Sequence, residues 1–271
     1  MEDLRLDWAD YTPNIVKELG KLTELRVLHI DTHMFNDSLI EALLESLSNL
    51  QKLEELKVFN FDPLRSGLYR WGGFSPSRQL RHLFLCDTSY SRGLPVWINC
   101  SLLPNLTMLH MFLESVDARD FGIIGSLPEL RFLYLVIQNA SVLPVPDAVP
   151  AGGFPKLRHC YTVPPLTYLP GAMPCLESVE FLIVAAHFVE ARKAANVDTL
   201  QHLRKLEKVD ATIDCSDVEV EEAEAAKAAV MHAVDIHPNR PILLLRETGV
   251  CKPKVRTSVV LIYFDCQGQA P

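Results

Sequence analysis

The sequence lacks the features that mark most enzymes, membrane proteins and nucleic-acid-binding proteins. None of its 271 residues belongs to a run approaching the roughly 18 consecutive apolar residues of a membrane-spanning helix. Lysine and arginine (26) are outnumbered by aspartate and glutamate (34), and the resulting net charge of -8 disfavours binding to a phosphate backbone. Glycine-rich phosphate loops, the G-x-S-x-G elbow and the H-E-x-x-H motif are all missing. We therefore expect no enzyme activity, no cofactor and no nucleic-acid partner.

The cysteines and the N-terminus suggest the compartment. The seven cysteines are odd in number and contain no C-x-x-C pair, so they indicate neither a disulfide framework nor a zinc site. The first ten residues, MEDLRLDWAD, have neither the basic nor the apolar region of a signal peptide. Both observations favour a soluble, cytoplasmic protein. Four Asn-x-Ser/Thr sequons, beginning at Asn36, Asn99, Asn105 and Asn139, would matter only outside the cell, and so short a pattern arises easily by chance.

One template recurs along the chain, with apolar residues at its first, fourth, seventh and ninth places (L-x-x-L-x-x-L-x-L). Eight segments match it, and Met1, Leu4 and Leu6 fit a truncated ninth at the start. The mean period of about 26 residues lies within the range of leucine-rich repeats. The fourth place is held by Leu25, Leu53, Leu80, Leu106, Leu130, Leu157, Leu176 and Leu206.

This spacing predicts the fold. The seventh and ninth residues point to the same side of a short strand, and the first and fourth turn into the space beneath it. No unit can bury that set alone, so neighbouring units must stack to form a continuous core. We expect an α/β fold: a leucine-rich-repeat solenoid, or horseshoe, with a parallel concave β-sheet, an irregular or helical convex side and a C-terminal helix-strand cap.

Two segments have helical rather than strand patterning. Residues 36–50 (NDSLIEALLESLSNL) have leucines at helical spacing, with Asn36 or Asp37 available as the N-cap. A second helix, rich in Ala and Glu, is expected to be the longest and to end before Pro238. The residues predicted to lie on one side of it are Val218, Ala225, Ala229 and His232.

The second helix and the strand PILLLR (241–246) that follows it make up the expected cap, near residues 217–246. We accordingly predict one repeat domain over residues 1–246, with about nine units. Residues 247–271 form a C-terminal tail that we expect to be loosely ordered.

The outward-facing strand positions predict the candidate site. Side chains alternate along a strand, so residues between the inward leucines face out of the concave sheet and form columns across the stack. In the middle repeats these columns are apolar and aromatic, and apolar patches of this kind commonly mark interaction sites. The predicted protein-binding residues are Phe84, Met108, His110, Phe112, Phe132, Tyr134, His159 and Tyr161. The alternative is that the tail or the curvature of the sheet hides them.

Two chemical interpretations of this surface are disfavoured. His82, His110 and His159 all fall on the concave face, but His110 and His159 are two repeats apart, about 10 Å at the backbone, too far to converge on one zinc ion. Cys160, next to His159, occupies an inward leucine position, which predicts a buried, unreactive thiol rather than a nucleophile. We therefore expect no metal site and no catalytic residue.

Several longer strings resemble a known family. Five of them are DFGIIGSLPELRFLYL, AGGFPKLRHC, PLTYLPGAMPCLESVEF, LRKLEKVDATIDC and AVDIHPNRP. They resemble the C-terminal repeats of grass nucleotide-binding leucine-rich-repeat (NLR) disease-resistance proteins. A sixth string, IVKELGKLTELRVLHI, resembles an earlier repeat. The resemblance implies the repeat region of an intracellular immune receptor, which restrains a nucleotide-binding switch and senses pathogen effectors. The implied partners are proteins: the receptor's own or another receptor's nucleotide-binding domain, an effector or a guarded host protein. The family's coiled-coil and nucleotide-binding modules have no match in this sequence.

Two other classes of leucine-rich-repeat binding protein are alternatives to an NLR. Extracellular plant repeat receptors carry Asn at the third place past the second strand leucine, and none of the eight repeats has Asn there, which argues against that class. Those places hold His33, Phe61, Thr88, Glu114, Gln138, Pro165, Val184 and Asp214. A leucine-rich-repeat substrate adaptor of a ubiquitin ligase, or another scaffold, remains the alternative.

Overall fold

The computed structural model describes residues 2–6, 12–32, 35–59, 74–86, 93–138, 148–185, 197–216 and 218–251. Ten strands in these residues form a single sheet. The strands are β1 (Asp3–Leu6), β2 (Val27–Asp31), β3 (Glu55–Phe59), β4 (His82–Cys86), β5 (Met108–Leu113), β6 (Phe132–Ile137), β7 (His159–Val163), β8 (Ser178–Val184), β9 (Lys208–Asp214) and β10 (Ile242–Thr248).

The strands lie in the sheet in the order in which they occur along the chain, and every neighbouring pair is parallel. Each strand is therefore followed by a connection that returns to the same end of the sheet, which is how a repeat solenoid is built. The predicted solenoid with a parallel sheet is confirmed.

The core consists of the inward positions of the template. Leu28 and Ile30 of β2 are fully buried, and all eight fourth-place leucines are at most 3% exposed. Burying one such side chain contributes about 1.5 to 3 kcal/mol, so this stack is the main source of stability. The third unit has no leucine at its first place. Ser77 is buried there, and its hydroxyl donates a hydrogen bond to the carbonyl of Gln51 at 2.8 Å, which satisfies the polar group.

A backbone clamp joins consecutive repeats at the fifth place of the template. The carbonyl of Arg26 accepts hydrogen bonds from the N–H groups of both Glu54 and Glu55, at 2.7 and 2.9 Å. The same double acceptance recurs through the stack. A strand that slipped by one residue would lose both bonds, so the clamp holds the register. The acceptor carbonyls belong to Glu2, Arg26, Glu54, Arg81, Thr107, Arg131, Arg158 and Glu177.

Charged side chains line the outer edge beside the clamp. Lys52 pairs with Glu24 of the preceding repeat at 2.6 Å, and Arg158 pairs with Glu177 of the following repeat at 2.9 Å. These pairs are solvent-exposed, so their contribution to stability is small. Their regular spacing follows from the register rather than causing it.

In the described part of the chain, the convex side carries helices α1 (Pro13–Leu19), α2 (Asp37–Asn49) and α3 (Ala118–Gly125). The predicted helix α2 is confirmed, and Asn36 is its N-cap, because its side chain accepts a hydrogen bond from the N–H of Leu39 at 3.0 Å. Sequence patterning did not predict α1 or α3, which are only two turns long. The hydroxyl of Ser46 donates to the carbonyl of Val16 at 2.7 Å and joins α1 to α2.

The predicted C-terminal helix and strand are confirmed as α4 (Val220–Asp235) and β10. Of the four residues predicted to lie on one side of this helix, Val218 precedes α4 and is buried, Ala229 is half-buried, and Ala225 and His232 are exposed. The helix packs on β9 and a 3₁₀ helix (Val197–His202) through another set of residues, because small alanines allow close approach on more than one side. The buried residues are Ala223, Ala226, Val230, Ala233 and Val234.

The domain boundary proposed at residue 246 falls inside β10, which continues to Thr248. Residues 252–271, which make up most of the predicted tail, lie outside the described residues. The loose order of the tail stays a prediction.

Strand β7 has the most polar inward positions in the stack. Cys160 and Thr162 stand where the other strands carry aliphatic side chains, methionine or phenylalanine, and both are buried. The expected burial of Cys160 is confirmed, and burial raises the pKa of its thiol to about 12. Among the described residues the Thr162 hydroxyl has no hydrogen-bond partner. An unpartnered buried hydroxyl costs free energy.

Replacing this hydroxyl by a methyl group is expected to stabilise the protein. Thr162→Val keeps the shape of the side chain and should raise the free energy of unfolding by about 1 kcal/mol, measured by urea denaturation. Thr107→Val is the matched control, because the Thr107 hydroxyl donates to the carbonyl of Arg81 at 3.0 Å and its loss should not stabilise. A lower unfolding free energy for Thr162→Val would show that the hydroxyl is satisfied in the folded protein.

Candidate protein-binding face

The outward-facing residues of the strands form a regular grid. Strand pairing places Phe84, His110, Tyr134 and Tyr161 side by side in one central column. Two further columns flank it. One contains His82, Met108, Phe132 and His159, and the other contains Phe112, Val136 and Val163. Cys86 holds the same place of the template on β4. We call the eight predicted residues the aromatic field: Phe84, Met108, His110, Phe112, Phe132, Tyr134, His159 and Tyr161.

Rings at the same register stack on one another across the strands. The rings of Tyr134 and Tyr161 are nearly parallel, with centroids 4.0 Å apart and an interplanar angle of 6°. Phe132 and His159 form a second stack at 4.7 Å and 7°. Parallel strands lie about 4.8 Å apart, so a sheet of this kind holds flat rings close to contact. His110 extends the first stack, with its ring centroid 3.9 Å from that of Tyr134.

The rings cover one another, so the field is less exposed than the sequence suggested. Phe132 is 38% exposed and His159 is also exposed. The other six residues of the aromatic field are half-buried. Sequence reasoning identified the side of the sheet correctly but could not foresee how far neighbouring rings would shield each other.

His110 is held as a neutral imidazole by its surroundings. Its ring lies between Phe84, Phe112 and Tyr134, and in the described part of the chain its Nε2 is buried without a hydrogen-bond partner. Burial lowers the pKa of His110 to about 4, because the imidazolium would lose its hydration there. The aromatic field is therefore uncharged at this position at neutral pH.

A groove of about 380 Å³ runs over the field toward β8 and β9. Its wall is aromatic along β6 and β7 and becomes polar at Ser178, Glu180 and Lys208. Burial, a hydrogen bond with Tyr134 and the charge of Glu180 together raise the pKa of Tyr161 well above its usual range. The Tyr161 hydroxyl therefore stays protonated.

The other end of the grid carries a network around one carboxylate. Glu55 contacts His29 Nε2 at 2.6 Å, His82 Nδ1 at 2.9 Å and Lys57 Nζ at 3.0 Å. Partial burial opposes ionisation of Glu55, but hydrogen bonds from these three side chains outweigh it and lower its pKa to about 2. The ammonium group of Lys57 also lies 4.5 Å from the centroid of the Phe84 ring, a cation–π contact.

Sequence reasoning missed Glu55 as part of the grid. It occupies the same column as His82 and Met108, at the first residue of its strand. The signal was available in the register, since a carboxylate one strand from each of two histidines can reach both. The three histidines considered for a metal instead have separate contacts: His82 with Glu55, His110 with Tyr134, and His159 with Phe132.

The far end of the central column is also charged. Asp210 of β9 is buried, with its side chain 3% exposed. Its Oδ2 accepts a hydrogen bond from Arg246 at 2.7 Å and lies 3.4 Å from Lys208 Nζ. Its Oδ1 is buried without a partner among the described residues. Two cations thus compensate this one carboxylate.

The comparison with known families agrees with this geometry. A family model described as a leucine-rich repeat region matches residues 1–243. The chain belongs to the leucine-rich-repeat family. No curated protein matches it.

Leucine-rich repeats present a concave sheet as a binding surface for other proteins, and the grid described above lies on the corresponding sheet of this chain. The stacked rings and uncharged His110 form its centre, and ionic networks lie at both ends. Within the described portion of the chain, the helices do not combine the length and apolar character needed to cross a membrane.

The network around Glu55 should make stability depend on acid pH. The folded pKa of about 2 lies below the ordinary value of 4.5, so the stabilisation is complete above about pH 4.5 and is lost as the pH falls toward 2. Glu55→Gln should lower the free energy of unfolding at pH 7 by about 1 to 3 kcal/mol. Urea denaturation at pH 7 and pH 3 tests this, and the difference between the two proteins should shrink at pH 3. Glu24→Gln, on the exposed edge, is the control and should change little.

His110 should add a separate dependence at higher pH. Its folded pKa of about 4 lies below the ordinary 6.5, so the unfolded chain binds a proton first, and stability is lost as the pH falls from about 6.5 toward 4. His110→Phe keeps a ring in the stack and should reduce this loss, measured by urea denaturation at pH 7 and pH 5. The imidazole NMR signals that the substitution removes should titrate well below pH 6. Titration near 6.5 would contradict the burial of His110.

Proposed function

We propose that this chain is a protein-interaction module of the NLR type, equivalent to the repeat domain of an intracellular plant immune receptor, and that its aromatic field is the binding surface. The observation that carries the proposal is the contiguous array of rings on the concave sheet, from Phe84 to Tyr161. Rings and imidazoles are common at the centre of protein interfaces, because they bury much area and lose little conformational entropy.

The assignment to plant immunity is supported by sequence strings that span most repeats. DFGIIGSLPELRFLYL includes α3 and β6, LRKLEKVDATIDC includes β9, and AVDIHPNRP spans the end of α4. These strings therefore include residues of the sheet and of its convex connections. The proposed location is the cytoplasm, where such receptors act.

The proposed partners are proteins. They are a nucleotide-binding domain of the same or another receptor, a pathogen effector, or a guarded host protein. In each case the repeat domain would act by contact alone, by restraining a partner or by recognising a foreign one. The proposed role is non-enzymatic, which fits the interaction role of leucine-rich repeats.

Replacing the outer rings by serine should weaken binding more than stability. The combined change of Phe132, Tyr134 and Tyr161 to Ser removes both stacks, and each stack is worth about 0.5 to 1.5 kcal/mol beyond area burial. The inward leucines are untouched, so we expect a folded protein with lower stability. The tagged chain and its variant, expressed in grass protoplasts, can be compared by immunoprecipitation and quantitative mass spectrometry. Recovery of nucleotide-binding receptors or an effector should fall about tenfold or more.

The control is the pair Ile15→Ser and Met231→Ser, which removes exposed apolar side chains (53% and 51%) on α1 and α4, outside the field. Those changes should leave recovery unchanged. Ubiquitin-ligase subunits among the partners lost by the ring variant would instead favour the substrate-adaptor alternative. Equal recovery by the ring variant and the parent chain would show that binding does not use the aromatic field.

A further inference from the structure

One carboxylate in the groove differs from the other charged groups of the concave sheet. Glu180 is adjacent to Tyr161 in the central column, at the point where the stacked rings end. The negative charge of Glu180 contributes to the raised pKa of the Tyr161 hydroxyl. Within the described residues, no Lys, Arg or His nitrogen pairs with the Glu180 carboxylate, and it accepts no hydrogen bond. It is nevertheless half-buried and lines the groove.

The nearby cations are already engaged elsewhere. Lys208 and Arg246 both face Asp210 on the next strand, and Arg246 is within hydrogen-bond distance of its Oδ2. His110 is neutral because of its burial. Glu180 therefore has no counter-ion among these groups. Its negative charge can interact with a ligand in the groove.

The opposite end of the same column shows how this surface accommodates a cation. There the ammonium group of Lys57 lies over the ring of Phe84 and also contacts the carboxylate of Glu55 at 3.0 Å. A ring and a carboxylate thus share one cation. Tyr161 and Glu180 provide the same pair of chemical groups, one ring and one carboxylate at neighbouring positions, but here none of the described residues supplies a cation.

We propose that the groove binds a cationic side chain of a partner protein, with Glu180 as its counter-ion and Tyr161 as its aromatic contact. This inference rests on the proposed function, since it specifies the chemistry of the partner that occupies the aromatic field. Arginine suits the site best, because its planar guanidinium can stack on a ring while it pairs with a carboxylate. An apolar or aromatic neighbour in the partner would lie on the exposed Phe132 and His159 rings.

The overall charge of the chain supports this assignment. A net charge of -8 attracts cationic partners and repels anionic ones during approach. An acidic segment is disfavoured in the groove, because it would face Glu180 while Lys208 is engaged with Asp210. The recognised segment should therefore contain a cationic residue next to an apolar one.

A random peptide library displayed on phage is the probe. The full chain is used as bait, and each phage clone that binds it is then assayed for binding to the Glu180→Gln protein. The selected peptides should share an arginine or lysine beside an apolar or aromatic residue. The tightest arginine-containing peptide is then synthesised with arginine and with citrulline, its neutral isostere, and its affinity is measured by fluorescence anisotropy at low and physiological ionic strength.

Removing the negative charge of Glu180 or the positive charge of the peptide should have the same effect on affinity. Glu180→Gln, or citrulline in the peptide, should each weaken binding about tenfold or more, and the two together should weaken it no further. Higher salt should weaken binding of the arginine peptide and leave the citrulline peptide unchanged. Asp235→Asn, at the exposed end of α4, removes the same charge outside the groove and should have no such effect. Circular dichroism checks that both variants fold.

The outcomes separate this inference from the proposed function. Selected peptides that lack a cation, or that bind Glu180→Gln as well as the parent chain, overturn the cation site. If those same peptides no longer bind the Tyr161→Ser protein, the aromatic field is still a binding surface and the proposed function stands. A library that yields no peptide dependent on Glu180 overturns the inference, and peptides insensitive to both Glu180 and the rings contradict the proposed function as well.

Discussion

The register between consecutive repeats is the constraint on which the rest of this structure depends. In the repeats from β1 to β8, one carbonyl accepts two N–H groups from the next repeat, so each strand from β2 to β9 begins at a defined position beside its neighbour. The inward leucines reinforce this register. A slip of one residue would expose Leu133 and Leu135 and would bury Phe132 and Tyr134 in their place. Register is thus held by the backbone and by the core together.

The chemistry of the concave face follows from that register. Side chains at the same place of successive repeats lie one strand spacing apart, and what they do depends only on which residues share a column. Flat rings stack, as Tyr134 and Tyr161 do at 4.0 Å. A carboxylate between two imidazoles contacts both, as Glu55 does. The solenoid therefore converts residues that are far apart in the chain into a continuous surface with an uncharged aromatic centre and ionic ends.

The carboxylates on the concave sheet differ in how completely their charges are compensated. Glu55 has contacts with two histidines and a lysine, and Asp210 has an arginine and a lysine. Glu180 lies between the rings and Asp210, with no partner of this kind among the described residues. Charges that are compensated within the chain stabilise the fold, whereas an uncompensated charge beside an aromatic groove is available to a ligand. The electrostatic environment thus differs between carboxylates on the same sheet.

The fold was predictable because its signal repeats. Eight matches to one apolar template predicted the parallel sheet, the direction of each side chain and the membership of the aromatic field, from Phe84 to Tyr161. The long helices α2 and α4 were predicted from their own patterning. The two-turn helices α1 and α3 were not, because so short a segment carries too few apolar positions to show a period. The buried side of α4 did not follow from its pattern, since a helix rich in alanine has several faces that can pack closely.

The sequence by itself determined which residues face the core and which face outward, because strand geometry alternates and the template repeats. The tertiary structure alone decided the state of the outward residues. Stacking between repeats made His110 a buried neutral group, shielded most of the rings from solvent and brought Glu55 to two histidines. These properties depend on distances between side chains in different repeats, including their rotamers, and a one-dimensional pattern carries no information about rotamers. The period of the sequence specifies where each side chain lies on the sheet, and the packing between repeats specifies its burial and its contacts.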